Sequence, residues 1–169
     1  MTDQMLNLRR EKQFLVVLGV ICLGLIGGAL YMQVVLGEAP CPLCILQRYA
    51  LLFIAVFAFL GAAMPGRVGL TVCETLVVLS AMGGLAAAGR HVYIQTHPTE
   101  SCGIDVLQPI VDGLPLASLF PLGFQVGGFC ETPYPPVLGL SLAQWALAAF
   151  VLTVLLVPTG IIRNRMKAR

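Results

Sequence analysis

Cysteine offers this chain its most reactive side chains, and four of the six cysteines fall into two pairs. Cys41 and Cys44 bracket a Cys-Pro-Leu-Cys tetrapeptide, while Cys102 and Cys130 are separated by 27 residues. A CxxC pair suits thiol–disulfide exchange, because its sulfurs lie close together and one is readily ionised. Pro42 suits the first turn of a helix, which puts Cys44 in that turn. The unpaired N–H groups and the helix dipole there favour a thiolate. Arg48 comes four residues after Cys44 and projects from the same helical face. A cation at that place stabilises a Cys44 thiolate or the anionic oxygen of a reduced cofactor. The alternative is an arginine that only reaches for the membrane surface. Gln47 is explained as well by packing as by a hydrogen bond at the same site.

The elements that must hold these residues are set by composition. Hydrophobic residues make up 58% of the 169-residue chain and charged residues 11%, against about 25% charged in ordinary soluble domains. Mean hydropathy is +0.90. Four apolar runs, at about 14–36, 44–64, 68–94 and 138–157, reach the roughly 20 residues that a membrane-crossing helix needs. Pro65-Gly66 ends the second and Pro158 the fourth. The runs are too long and too poor in alternating residues for a membrane barrel. The expected fold is an all-α membrane protein: one domain over 1–169, a four-transmembrane-helix bundle with outer loops at about 37–43 and 95–137. A net charge of +2, with no basic patch interleaved with aromatics, argues against nucleic acid as a partner.

Lys and Arg set the orientation. Arg9, Arg10 and Lys12 precede the first span, Arg67 lies between the second and third, and Arg163, Arg165, Lys167 and Arg169 follow the fourth. Both termini are therefore expected in the cytoplasm, with the first span retained rather than cleaved as a signal peptide. Cys41, Cys44, Cys102 and Cys130 then face an oxidising compartment where disulfides persist. Cys22 and Cys73 read as small buried apolar thiols. Arg90 and His91 end the third span at a depth similar to Arg48. His91 can give a proton or hydrogen bond to a bound cofactor, or serve as an interfacial anchor. His97 reads as solvated.

The loop at 95–137 holds seven of the eleven prolines. A segment of this length without secondary structure is uncommon unless it has a function. A Cys102–Cys130 bond there is either a structural staple or an exchangeable disulfide that hands electrons to the CxxC. Within the loop, Leu114–Phe124 is apolar, with Phe120 and Phe124 four apart. It reads as a segment lying on the membrane surface, or else as one that docks a partner or closes part of the bundle.

The run Cys41-Pro-Leu-Cys44-Ile-Leu-Gln-Arg48 opening the second span, with Cys102 and Cys130 in the second outer loop, strongly resembles the DsbB family. These are quinone-coupled, disulfide-generating proteins of the bacterial inner membrane, and the resemblance covers the whole chain. It implies catalytic cysteines at Cys41, Cys44, Cys102 and Cys130, with no metal. It also implies that a reduced periplasmic thioredoxin-fold oxidase (DsbA-like) attacks a Cys102–Cys130 disulfide to form a mixed disulfide at Cys102. A Cys41–Cys130 bond then passes the electrons to Cys41 and Cys44. Cys44, Arg48 and His91 are implied to bind ubiquinone or menaquinone from the membrane pool. Position 47 is Gln where some relatives carry an acid, so no catalytic role is placed on it.

Three other readings start from the same residues. Four thiolates could hold a metal, although structural zinc sites usually present two tight pairs. A membrane assembly protein with an ordinary disulfide would not depend on Cys41. A relay delivering reducing power outward would need an electron donor in the cytoplasm, where Cys73 has no partner except distant Cys22.

Overall fold

A computed structural model describes residues 2–97, 104–130, 136 and 138–167, with side chains described over 6–97, 106–130, 136 and 138–162. The described chain is helical, without a β-strand. Four helices are long and apolar enough to cross a membrane: α1 (Thr2–Leu36), α2 (Pro42–Ala63), α3 (Arg67–Thr96) and, after three short outer helices, α7 (Leu142–Lys167). The short ones are α4 (Ile104–Asp112), α5 (Pro115–Leu119) and α6 (Pro121–Phe124). Helix α2 packs between α1 and α3, and α3 packs on α7. Over half of the most apolar stretch of α2 is buried, against a third or less in the other three. Side chains of α2 are therefore placed inside the bundle more often than those of the other three.

Lipid-like surroundings give little hydrophobic drive between helices, so close packing has to hold them together. Small residues on α2 and α3 serve that end. Gly61 abuts Cys73 and Leu15. The fully buried Phe150 ring of α7 fills the space that a Cβ at Gly84 would take. Gly84→Ala is accordingly expected to cost about 1–3 kcal/mol, the scale of overpacking. Gly83→Ala, whose added methyl meets nothing within 4 Å, should leave the thermal midpoint in detergent unchanged. Equal midpoints for the two variants would refute this account of the α3–α7 contact.

At one end of the bundle, Lys12 Nζ donates to the carbonyl of Met64 (2.6 Å), the residue that caps α2. The start of α1 is thus tied to the α2–α3 turn that bears Arg67. Arg10 and Glu11 of α1 share a cavity with Leu156, Gly160 and Ile161 of α7, so the first turns of α1 and the last turns of α7 lie at this end.

The fourth long helix departs from the sequence reading at both ends. It begins at Leu142, four residues later than the apolar run, because Leu138 and Gly139 turn with φ of 54° and 84°. Ser141 and Gln144 then cap it reciprocally: Gln144 N–H donates to Ser141 Oγ (3.2 Å), and Ser141 N–H donates to Gln144 Oε1 (2.9 Å). Pro158 does not stop it. The helix runs on to Lys167, with the Thr159 hydroxyl donating back to the carbonyls of Leu155 and Leu156. Membrane helices tolerate an interior proline more readily than helices in water, because neighbouring helices and local adjustments meet the backbone needs it creates.

The outer loop folds onto the bundle. Val111 of α4, Phe124 of α6 and Val126 pack with Ile45 and Tyr49 of α2. Gly127 and Gly128 N–H both donate to the carbonyl of Pro40 (2.9 and 3.1 Å), clamping the loop against the turn before the CxxC. Gly128 is required there, since a Cβ would collide with the Ala39 carbonyl. Phe120 and Phe124 part company: Phe124 stacks edge-on against Tyr49 at 5.0 Å, while Phe120 lies exposed with Leu119 and Leu122. The segment closes part of the bundle through one face and leaves an apolar face outward.

Tyr49 Oη is buried with no hydrogen-bond partner among the described residues. Removing an unpaired buried hydroxyl relieves a desolvation cost of about 1–3 kcal/mol. Tyr49→Phe is therefore expected to hold or raise the thermal midpoint, and a lowered midpoint would show that the hydroxyl has a partner.

Candidate redox site

Cys41 is the N-cap of α2, and its sulfur accepts from the Cys44 N–H (3.3 Å). Pro42 follows at the first helical position, where its missing N–H costs nothing. This cap folds the CxxC so that the Cys41 thiol donates to the Cys44 sulfur across 3.1 Å. Both residues are free thiols. The bond donated to Cys44, with burial next, holds Cys41 above the ordinary thiol range. Cys41 thus keeps its proton and points it at Cys44, which is the better placed of the two to carry negative charge.

His91 of α3 meets this pair from the side. It is 1% exposed, with Nε2 3.8 Å from Cys41 Sγ and Nδ1 3.8 Å from Cys44 Sγ. The side-chain amides of Gln47 and Gln95 flank the ring, 3.3 Å from Nδ1 and 3.4 Å from Nε2. Gln95 Oε1 accepts from Ser141 Oγ (3.0 Å), which ties the ring's setting to the start of α7. Arg90, by contrast, is exposed, as is His97, which stacks on Tyr93.

Arg48 is 6% exposed and lies over α1. Its Nη1 donates to Gln33 Oε1 (2.7 Å) and to the carbonyl of Gly123 (2.5 Å), and its Nη2 reaches the carbonyl of Ala29 (3.4 Å). Gln33 in turn donates to the carbonyl of Leu122. The guanidinium is therefore held in place by α1 and by the loop helix α6.

Cys44, Gln47, Arg48 and His91 form the polar end of one cavity of about 100 Å³. That is several times the roughly 10–15 Å³ that holds one water. Glu38 and Pro40 of the loop before α2 also line it, and the rest of the wall is mostly apolar, from α1 (Leu25, Ala29) and α7 (Ala143, Trp145).

Cys130 is fully buried, disulfide-bonded, and clustered with Cys41, Leu43 and Ile94. A bonded Cys130 is withdrawn from the four-thiolate metal site that was one reading of the sequence. Cys102 lies outside the described residues.

The sequence compares closely with known proteins. The family model "Disulfide bond formation protein DsbB" matches residues 11–159. The chain belongs to the DsbB family. Among its relatives, Disulfide bond formation protein B 1 of Pseudomonas savastanoi pv. phaseolicola is 81% identical over 99% of both chains. Disulfide bond formation protein B of Pseudomonas syringae pv. tomato is 75% identical over 99% of both. That of Burkholderia thailandensis is 52% identical over the full length of both. Membership makes this chain a disulfide bond formation protein, and the four long apolar helices fit a multi-pass membrane member of that family.

In this DsbB-family chain the sequence reading understated the glutamines. Gln47, for which the sequence leaves packing and a hydrogen bond equally open, adjoins the His91 ring. Its position three residues after Cys44 was the available signal, because residues i and i+3 share a helical face. Gln95, four residues after His91, carried the same kind of signal. Gln33 carried none: it joins Arg48 only because α1 and α2 pack together.

Proposed function

We propose that this chain reoxidises a periplasmic DsbA-like dithiol, passing two electrons from Cys102 and Cys130 to Cys41 and Cys44 and then to a membrane quinone. The observation that carries the proposal is the single cavity in which the Cys44 sulfur, Arg48 and His91 meet under an apolar wall. An apolar ring with polar oxygens suits that wall and those donors, so the residues present fit ubiquinone or menaquinone. A quinone bound there supplies the two-electron acceptor.

The chain's own residues do the rest. Cys44 Sγ, at the helix N-terminus and accepting a hydrogen bond from the Cys41 thiol, presents the reactive electron pair. His91 faces Cys41 with Nε2 and Cys44 with Nδ1, so each sulfur has a ring nitrogen beside it. Arg48, held by Gln33 and Gly123, aims a fixed positive charge at the cavity. In the exchange half, the partner's thiolate opens the Cys102–Cys130 disulfide and bonds to Cys102. The freed Cys130 sulfur attacks Cys41 of the oxidised CxxC, and Cys44 leaves as thiolate. The partner's second thiol then displaces Cys102 as the partner's own disulfide forms. The Cys102 sulfur takes Cys130 back from Cys41, which leaves Cys41 and Cys44 reduced. Two electrons and two protons have moved inward from the partner. The shared buried cluster of Cys41 and Cys130 supports this order.

The Lys/Arg bias supports cytoplasmic termini, with the cysteines facing the periplasm across the inner membrane. The Lys12–Met64 contact agrees, since it gathers basic residues of α1 beside the Arg67 turn. The test mixes purified, detergent-solubilised chain with a reduced DsbA-like partner and either quinone, and follows quinone absorbance. Catalytic loss of that signal is expected, and it should vanish in Cys102→Ser. No turnover with either quinone, with the loop disulfide intact, would overturn the proposal.

A further inference from the structure

Cys41, Cys44 and His91 also make up a set of metal ligands. One donor atom from each lies within 4.8 Å of the other two, and Cys41 and His91 are buried. Two thiols and an imidazole are the donors that borderline-soft ions prefer, and zinc takes them at about 2.3 Å for sulfur and about 2.0–2.1 Å for nitrogen. A tetrahedral ion with those bond lengths separates its ligand atoms by roughly 3.5–3.8 Å. Cys41 Sγ stands 3.8 Å from Nε2 and Cys44 Sγ 3.8 Å from Nδ1, and one ring nitrogen has both sulfurs within 4.8 Å. To hold an ion the sulfurs, 3.1 Å apart, would part slightly and the ring would turn to bring one nitrogen about equally near both. Metal-bound histidines usually have their other ring nitrogen held by an outer partner. Here Gln47 and Gln95 flank the two nitrogens, so whichever one is left off the ion faces a side-chain amide. Cys44 and His91 line the cavity, which leaves room for a water as fourth ligand.

We propose that the reduced CxxC and His91 form a Cys2His site for one zinc-class ion, open only while Cys41 and Cys44 are dithiols. Binding releases the two thiol protons and oxidises nothing: the ion stays divalent and both sulfurs become thiolate ligands. Oxidation of the pair to a disulfide removes two of the three ligands and closes the site. An ion held there withdraws both sulfurs from exchange, so metal is a brake set by the redox state of the CxxC. The binding site stands on the geometry of three side chains and does not depend on quinone coupling. Only the braking effect rests on the proposed relay.

The experiment uses the full-length chain in detergent with Cys102→Ser and Cys130→Ser, so that the CxxC is the only reducible pair. After reduction and anaerobic removal of reductant, Zn²⁺ is titrated against a chromophoric indicator. One ion per chain is expected in the reduced form and none after the CxxC is oxidised. The oxidised chain keeps Cys22 and Cys73 as thiols and so controls for them. Cd²⁺ should give a thiolate-to-metal charge-transfer band in the reduced form alone. His91→Ala should weaken Zn²⁺ by more than the roughly 10–100-fold seen when an outer-shell partner is lost. His91→Gln, checked for helical circular dichroism, guards against misfolding. Binding well below one ion per reduced chain, equal binding by the oxidised chain, or unchanged affinity in both His91 variants would overturn the site. Quinone turnover, measured on metal-free wild-type chain, reports separately on the relay.

Discussion

Cys44→Ser is expected to abolish quinone reduction, by on the order of 10³-fold or more, the scale on which removal of a covalent nucleophile acts. A serine hydroxyl neither ionises near neutral pH nor closes a disulfide with Cys41. The fold should survive, because the helix cap uses the Cys44 backbone N–H and the Cys41 sulfur, not the Cys44 side chain. Cys41→Ser should also stop turnover, for a different reason. Serine is a good N-cap, so α2 keeps its start, and Cys44 keeps its place in the cavity. What is lost is the sulfur that neighbours Cys130 in the buried cluster. The two variants should differ in thiol trapping. Cys41→Ser leaves the half-buried Cys44 thiol reactive toward a maleimide, whereas Cys44→Ser leaves at the site only the fully buried Cys41 and labels slowly. Turnover above a tenth of wild type in Cys44→Ser would remove Cys44 from its assigned role.

Arg48→Met should raise the quinone KM by about 10- to 100-fold, with a smaller fall in kcat. The guanidinium reaches Gln33 and Gly123 at 2.7 and 2.5 Å, so its charge is fixed beside the cavity rather than free to seek water. Hydrogen bonds to charged groups are worth about 1.5–3 kcal/mol, and each 1.4 kcal/mol is about a factor of ten in affinity. Arg48→Lys keeps the charge but loses the planar fork, so it should fall between the two. The substitution also strips the Gly123 carbonyl and Gln33 of their donor, so the thermal midpoint should drop along with quinone affinity. Kinetics at varied quinone separate these effects. A lowered midpoint with unchanged KM would make Arg48 a clasp between α2 and the loop, with no part in binding.

The residues of the site divide according to how local their determinants are. The CxxC at a helix start, with Arg48 one turn on, follows from spacing alone, because Pro42 and the 3.6-residue repeat fix those relations within one helix. The four long helices follow from apolar length, since a lipid environment demands that each backbone satisfy itself. The ends of α7 were legible only in part. Ser141 and Gln144 stand three apart as a capping motif, but the apolar run begins before them, and Pro158 lies inside α7 instead of ending it.

What the sequence by itself determined is therefore the all-α class, the reactive pair and its neighbouring cation, since each rests on composition or on short-range periodicity. The tertiary structure alone decided which partners those groups have. His91 reaches the two sulfurs because α3 packs on α2. Arg48 is held by Gln33 of α1 and by a carbonyl of α6, and Phe124 turns inward because Tyr49 offers it a ring. Contacts between residues tens of positions apart arise from how helices cross, and no local pattern in the chain encodes that crossing.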